Sequence, residues 1–177
     1  MDLLVHARRM ARYNRWMNEK LYACCAQLTD EQRKQDAGAF FKSIHGTLNH
    51  LLLADRVWMG RFTGVPFAVR SLAQELYGDF DPLRRERVKT DGDIVDWVGR
   101  LREADLDTEL AYTSIVSPAP RRIGMDIAVT HFFNHQTHHR GQVTTLLMQR
   151  GIDPGVTDLM WLDMERKPGT VTPGTGT

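Results

Sequence analysis

The chain has 177 residues, 42% hydrophobic and 25% charged, which fits one folded domain with a core of its own and excludes a wholly disordered chain. Its 23 Lys and Arg balance 22 Asp and Glu to a net charge of +1, with no block of like charge to coat a phosphate backbone, so nucleic acid is not expected as a partner. No unbroken apolar run comes near the ~20 residues that cross a bilayer, so no membrane span is expected either.

All seven prolines fall outside the windows 1–65, 83–117 and 121–153, and helix interiors exclude proline, so the helices should lie there. In the first window Leu3, Ala7, Met10, Asn14, Met17, Leu21, Cys24 and Leu28 recur at spacings of four and three, which predicts a helix over roughly 2–28. Asn14 interrupts this stripe and Asn18 follows one turn on, and a buried amide needs a partner. Arg8, Arg9, Arg12 and Arg15 read as its solvated face. Cys24 and Cys25 are adjacent, cannot staple distant segments, and read as core residues in a reduced, cytoplasmic setting.

Thr29 with Gln32 forms a capping box for a short turn. Ile44, Leu48, Leu51, Asp55, Trp58 and Phe62 then predict a second long helix ending at Gly64-Val65-Pro66, with Asp55 the anomaly on its stripe. Residues 67–89 lack steady periodicity and read as a crossover connection containing local helix, with Arg84, Arg85, Arg87 and Lys89 as loop charge. Thr90 with Asp93 is expected to cap a third helix running through Ile94, Trp97, Val98 and Leu101 to about Asp107. Leu110 to Val116 is β-rich and, with Arg121-Arg122-Ile123, suggests a loop or small hairpin. A fourth helix opens near Met125-Asp126 and stops at Gly151. Beyond it lie an apolar cluster, Leu159 to Met164, and a Pro, Gly, Thr and Val tail over 168–177 that is expected to be disordered. The expected architecture is all-α: a four-helix bundle over residues 1–167 with one long connection.

Four of the seven histidines lie within nine residues: His131, His135, His138 and His139. At 100° per residue, His135 and His139 share a face with Ala128, Phe132, Gln142 and Leu146, whereas His131 and His138 lie with Asn134, Gly141 and Thr145 on a polar flank. Two imidazoles at i and i+4 on a core-facing helix surface are the arrangement by which a helix grips a divalent ion, although such a pair also arises by composition alone. A third ligand must come from another helix. His50, mid-helix with Thr47, Leu53, Ala54 and Val57 around it, is a better candidate than His45 or His6, which lie near segment starts. Three neutral imidazoles leave positions open for water or substrate, the pattern of a catalytic centre more than of a closed structural one. Gln136 follows His135, so the glutamate of the HExxH peptidases is missing. Asp55 reads either as an acceptor orienting an imidazole or as a buried acid paired with Asn14 or an arginine. Gln142 reads either as a group that reaches the metal's water or as the end of a polar patch.

Three motifs, Ala11-Arg12-Tyr13-Asn14-Arg15-Trp16-Met17-Asn18, the run from Ser43-Ile44-His45-Gly46 through Asn49-His50 to Asp55-Arg56-Val57-Trp58, and Phe133-Asn134-His135-Gln136-Thr137-His138-His139-Arg140-Gly141-Gln142, together resemble the DinB family. This is the damage-inducible family within the DinB/YfiT-like superfamily of proposed metalloenzymes, and the likeness runs to about Glu165. It implies an up-down-down-up four-helix bundle and a divalent metal, nickel or zinc foremost with iron or manganese as alternatives, held by His50, His135 and His139. It also implies a homodimer. Related superfamily members act with low-molecular-weight thiols, so the resemblance implies a thiol-dependent S-transferase or isomerase joining a small thiol to an electrophile. The alternatives are a metal-dependent hydrolase and a non-catalytic stress-response metal-binding protein.

Overall fold

The computed structural model describes residues 2–115 and 119–164. The protein is mostly helical: α1 (Leu3–Cys25), α2 (Asp30–Lys34), α3 (Ile44–Thr63), α4 (Phe80–Arg100), α5 (Glu103–Leu106), α6 (Met125–Met148) and α7 (Trp161–Met164). Two short strands, β1 (Glu109–Thr113) and β2 (Pro120–Gly124), pair antiparallel with Leu110 opposite Ile123. That is the hairpin expected from the sequence. Pro120 sits at the first position of its strand, where a missing N–H costs no ladder bond.

Local chemistry sets most of the element ends. The Asp2 carboxylate accepts from the Leu4 N–H at 2.8 Å to open α1. Thr29 and Gln32 make the reciprocal capping box expected for α2. The Ser43 hydroxyl accepts from the Gly46 N–H at 3.0 Å to open α3, and Gly64, left-handed at φ 73°, closes it. Gly46 is also required sterically: a Cβ there would collide with the Phe41 carbonyl, whose segment crosses the start of α3.

The third long helix departs from the sequence expectation. It begins at Phe80, ten residues before the expected Thr90 cap, and ends at Arg100, where Leu101 turns extended. Pro82 lies in its first turn, where backbone N–H groups have no intrahelical partner in any case. Thr90 is buried mid-helix, its hydroxyl donating to the Glu86 carbonyl at 2.8 Å rather than capping. The apolar period is invisible because the buried face of α4 carries Arg87, Thr90 and Asp91 between Leu83 and Ile94. Arg87, expected as loop charge, is 2% exposed. The expected tail over 168–177 lies outside the described residues.

Each of α1 and α3 packs on both α4 and α6, so the four long helices surround a shared interior. All four feed each of two apolar clusters. One holds Met17, Leu21, Ile44, Leu48, Leu83 and Val143; the other holds Ala7, Ala11, Trp58, Ile94, Phe132 and Phe133. Between them in the chain order of every helix lies a buried polar layer. Arg87 donates to Asp55 at 2.6 Å and pairs with Asp91 at 2.9 Å. Asn14 and Asn18 each donate to Asp91 at 2.9 Å, Gln136 donates to Asp55 at 2.9 Å, and Arg140 donates to the Asn14 side-chain oxygen. Two carboxylates and two guanidiniums balance in charge, which is what lets the layer stay buried. Burial pushes the Arg140 pKa down to about 10, so it remains a cation at neutral pH. Asp55 thus resolves as the acid paired with an arginine, and Asn14 and Asn18 have the partner that their place on the stripe demanded. Cys24 and Cys25 are free and buried, with burial pushing the Cys25 thiol up to about 12.

Candidate metal centre

Directly beside the polar layer, His50 on α3 meets His135 and His139 on α6. The Nε2 atoms of His50 and His135 are 3.3 Å apart and those of His139 and His135 are 3.1 Å apart, and all three lie within 4.8 Å of one another. His50 and His139 are buried and His135 is half-buried. The i, i+4 spacing of the α6 pair and the packing of α3 on α6 create this convergence.

The other ring nitrogens settle which tautomer is present. His50 Nδ1 faces the Leu72 carbonyl at 2.9 Å, an acceptor only, so Nδ1 carries the proton and Nε2 presents a lone pair. His139 Nδ1 faces the Gln142 Oε1 at 2.8 Å with the same consequence, while the Gln142 amide nitrogen points to His138 Nε2 at 3.3 Å. His135 Nε2 therefore stands between two bare nitrogen lone pairs. A proton on it satisfies one of them at most; a single cation satisfies all three. Nitrogens ~2.0 to 2.1 Å from one tetrahedral ion lie about 3.3 Å apart, close to the two separations that involve His135. By donor chemistry and by spacing, the residues fit a divalent ion.

Electrostatics point the same way. Burial pushes His50 down to about 4, against the Leu72 carbonyl, which raises it. Burial, together with the adjoining imidazoles, pushes His135 down to about 3. His139 is lowered by burial and partly restored by Gln142. All three are neutral at pH 7, the protonation state that a metal ligand needs.

The surroundings hold this geometry. Phe41 stacks on the His50 ring, centroids 3.8 Å apart and planes 16° apart, and meets His139 edge-on at 5.6 Å. Leu72 belongs to the connection between α3 and α4, which α3 itself pins. Asn49 accepts from the Leu76 and Tyr77 N–H groups at 2.9 and 3.0 Å, and His45 Nε2 meets the Tyr77 carbonyl at 2.9 Å. His45 is thus a buried structural residue outside the cluster. His131 and His138 lie beside the trio, with ring centroids 5.9 Å from His135 and 4.8 Å from His139 respectively. Sequence reasoning singled out the trio and Gln142, but missed Leu72 and Phe41. A backbone carbonyl carries no side-chain signal, and Phe41 lies outside any periodic stripe.

The sequence model of the DinB family matches residues 3–170. The curated protein called Protein DinB, from Bacillus subtilis (strain 168), is 26% identical over 156 residues, covering 82% of this chain and 87% of that protein. A crystal structure of a DinB-like protein from Bacillus cereus ATCC 10987 covers 79% of this chain and 90% of its own at 23% identity, with a TM-score of 0.56. At that identity the likeness speaks to the fold alone.

Proposed function

The chain belongs to the DinB family, and from that membership and the histidine cluster we propose a divalent-metal-dependent enzyme that transfers a small thiol to an electrophile, with His50, His135 and His139 as the metal ligands. The observation that carries the reading is the convergence of three Nε2 lone pairs, two of them fixed by hydrogen bonds at the opposite ring nitrogen. A divalent ion held by these three residues would supply a Lewis acid that favours the thiolate over the thiol. Three imidazoles suit nickel or zinc, with iron or manganese as the alternatives.

This chain's own groups do the remaining work. Leu72 and Gln142 fix the tautomers, Phe41 keeps solvent from one side of His50, and the neutral histidines add no charge that would oppose a cation. Thiol transfer ranks above hydrolysis because a thiol of pKa ~8.5 ionises readily without a strong base. Among the described residues no carboxylate is hydrogen-bonded to any of the three histidines, and the carboxylate of Asp55 is engaged by Arg87 and Gln136. Low-molecular-weight thiols and small electrophiles are the proposed partners, and a homodimer the proposed assembly.

We read the long helices as an up-down-down-up four-helix bundle in one domain over residues 1–167. Contacts along the helices support it: Tyr22, late in α1, stacks on Phe80 at the start of α4, while His50, in the first half of α3, meets His139, in the second half of α6. The functional test is a cobalt-substituted sample titrated with small cellular thiols. A sulfur-to-metal charge-transfer band, with metal-dependent conjugation of the same thiol to an electrophile, is the expected result. An unchanged cobalt spectrum across a panel of thiols contradicts thiol transfer.

A further inference from the structure

Three turns of α3 beyond His50, an arginine stands without a counter-charge among the described residues. His50, Ala54, Val57 and Arg61 recur at spacings of four, three and four, so they lie along one face of α3. The Arg61 guanidinium carbon lies 4.5 Å from the Trp58 ring centroid and 4.4 Å from that of Tyr112 on β1. These two aromatic contacts hold the cation in place. It donates no hydrogen bond and pairs with no carboxylate among the described residues, unlike Arg56, Arg87, Arg102 and Arg122. Five N–H donors on a half-buried side chain are thereby left for something else.

A cavity of about 310 Å³ opens at this guanidinium, lined by Val57, Arg61, Pro66, Phe67, Tyr112 and Ile115 among others. Its walls are mostly apolar or aromatic, with Thr113 a polar exception, and Arg61 is the one ionic group among the described lining residues. A mostly apolar hollow with a single fixed polar anchor is the usual form of a small-molecule site. Ring contacts also tie it to the histidines: Trp58 lies 5.1 Å from His131, and His131 lies 5.9 Å from His135. Helical side chains lean toward their own N-terminus, so Arg61 leans back along α3 in the direction of His50.

We propose that Arg61 and this cavity form a subsite for the carboxylate of a small organic acid with an apolar body, placed along α3 from the histidine centre. The inference rests on the reading above that this centre acts on small molecules. A monoanionic carboxylate fits one guanidinium bidentately, whereas a phosphate dianion in an apolar hollow would leave a charge unpaired. The aromatic walls favour a flat or aryl body.

The probe is 3-phenylpropionate, with the uncharged 3-phenylpropanamide as its control, titrated calorimetrically into the full chain with and without metal. Metal-free protein should bind the acid at least about tenfold more tightly than the amide, and Arg61→Met should erase the difference. The Arg61 Nε–H resonance of the unaltered protein should shift with the acid and not with the amide, which decides the matter should Arg61→Met fail to fold. Equal binding of acid and amide, no binding of either, or a preference that survives Arg61→Met overturns the proposal and leaves Arg61 as a cation held by its rings alone. Metal content, read in the same samples, tests the histidine centre separately. A protein that holds no metal yet prefers the acid through Arg61 sinks the function proposed above and keeps this subsite. A protein that holds metal without that preference does the reverse.

Discussion

Gln136 donates a 2.9 Å hydrogen bond to the Asp55 carboxylate, so the residue immediately after the candidate ligand His135 is tied to the helix that carries His50. The same carboxylate holds Arg87, and through it the bond joins α6 to the buried polar layer. Removing the amide leaves one Asp55 oxygen buried without its donor. Gln136→Leu should lower unfolding free energy by about 1 to 3 kcal/mol in urea melts, and weaken metal retention as the two helices lose a common reference. Stability and retention both matching the parent protein would show that the tie is dispensable.

Asp55→Leu is expected to cost more, about 3 to 5 kcal/mol, because it leaves the Arg87 guanidinium with half of its compensating charge in a dry interior. The double variant Asp55→Leu with Arg87→Met should recover part of that loss. Urea unfolding of the single and double variants measures the coupling, and strict additivity would contradict it.

Gln142 fixes the tautomer of His139, so Gln142→Leu should weaken metal binding by about 10- to 100-fold. His138 only receives the other end of that amide, and His131 faces Trp58, so alanine at either position should leave affinity within about threefold. Competition with a chromophoric chelator separates the two cases. Loss of metal in His138→Ala equal to that in Gln142→Leu would mean that His138 is itself a ligand.

Acid sensitivity follows from the lowered histidines. Above pH ~6.5 His50 is neutral both folded and unfolded and contributes no pH dependence. Between there and its folded pKa of about 4, the unfolded chain takes up a proton that the folded one refuses, so stability falls as pH falls. The slope for a fully shielded histidine is about 1.4 kcal/mol per pH unit, and solvent screening reduces it. Metal-free His50→Phe should therefore lose less stability than the parent protein between pH 6.5 and 4.5. Parallel stability–pH curves would contradict the assignment.

The trio was legible in the sequence because helical geometry alone sorts His135 and His139 from their neighbours, and because His50 sits mid-helix among apolar residues. The ends of α2 and α3 were legible from the Thr29–Gln32 box and from Gly64-Val65-Pro66. The start of α4 was not, since a buried charge layer replaces the apolar period over Arg87 to Asp91. The Leu72 carbonyl and the Arg61 cavity depend on how the connection over 64–79 and the β1–β2 hairpin lie against α3, which no local pattern encodes.

The central claim is tested most directly by metal stoichiometry, measured by mass spectrometry on purified protein and on the His50→Ala, His135→Ala and His139→Ala variants. One divalent ion per chain in the parent protein, falling close to zero in all three folded variants while His6→Ala keeps its ion, is the predicted result. Full occupancy in folded His50→Ala, or no ion in the parent protein after loading with nickel or zinc, would contradict the three-histidine centre.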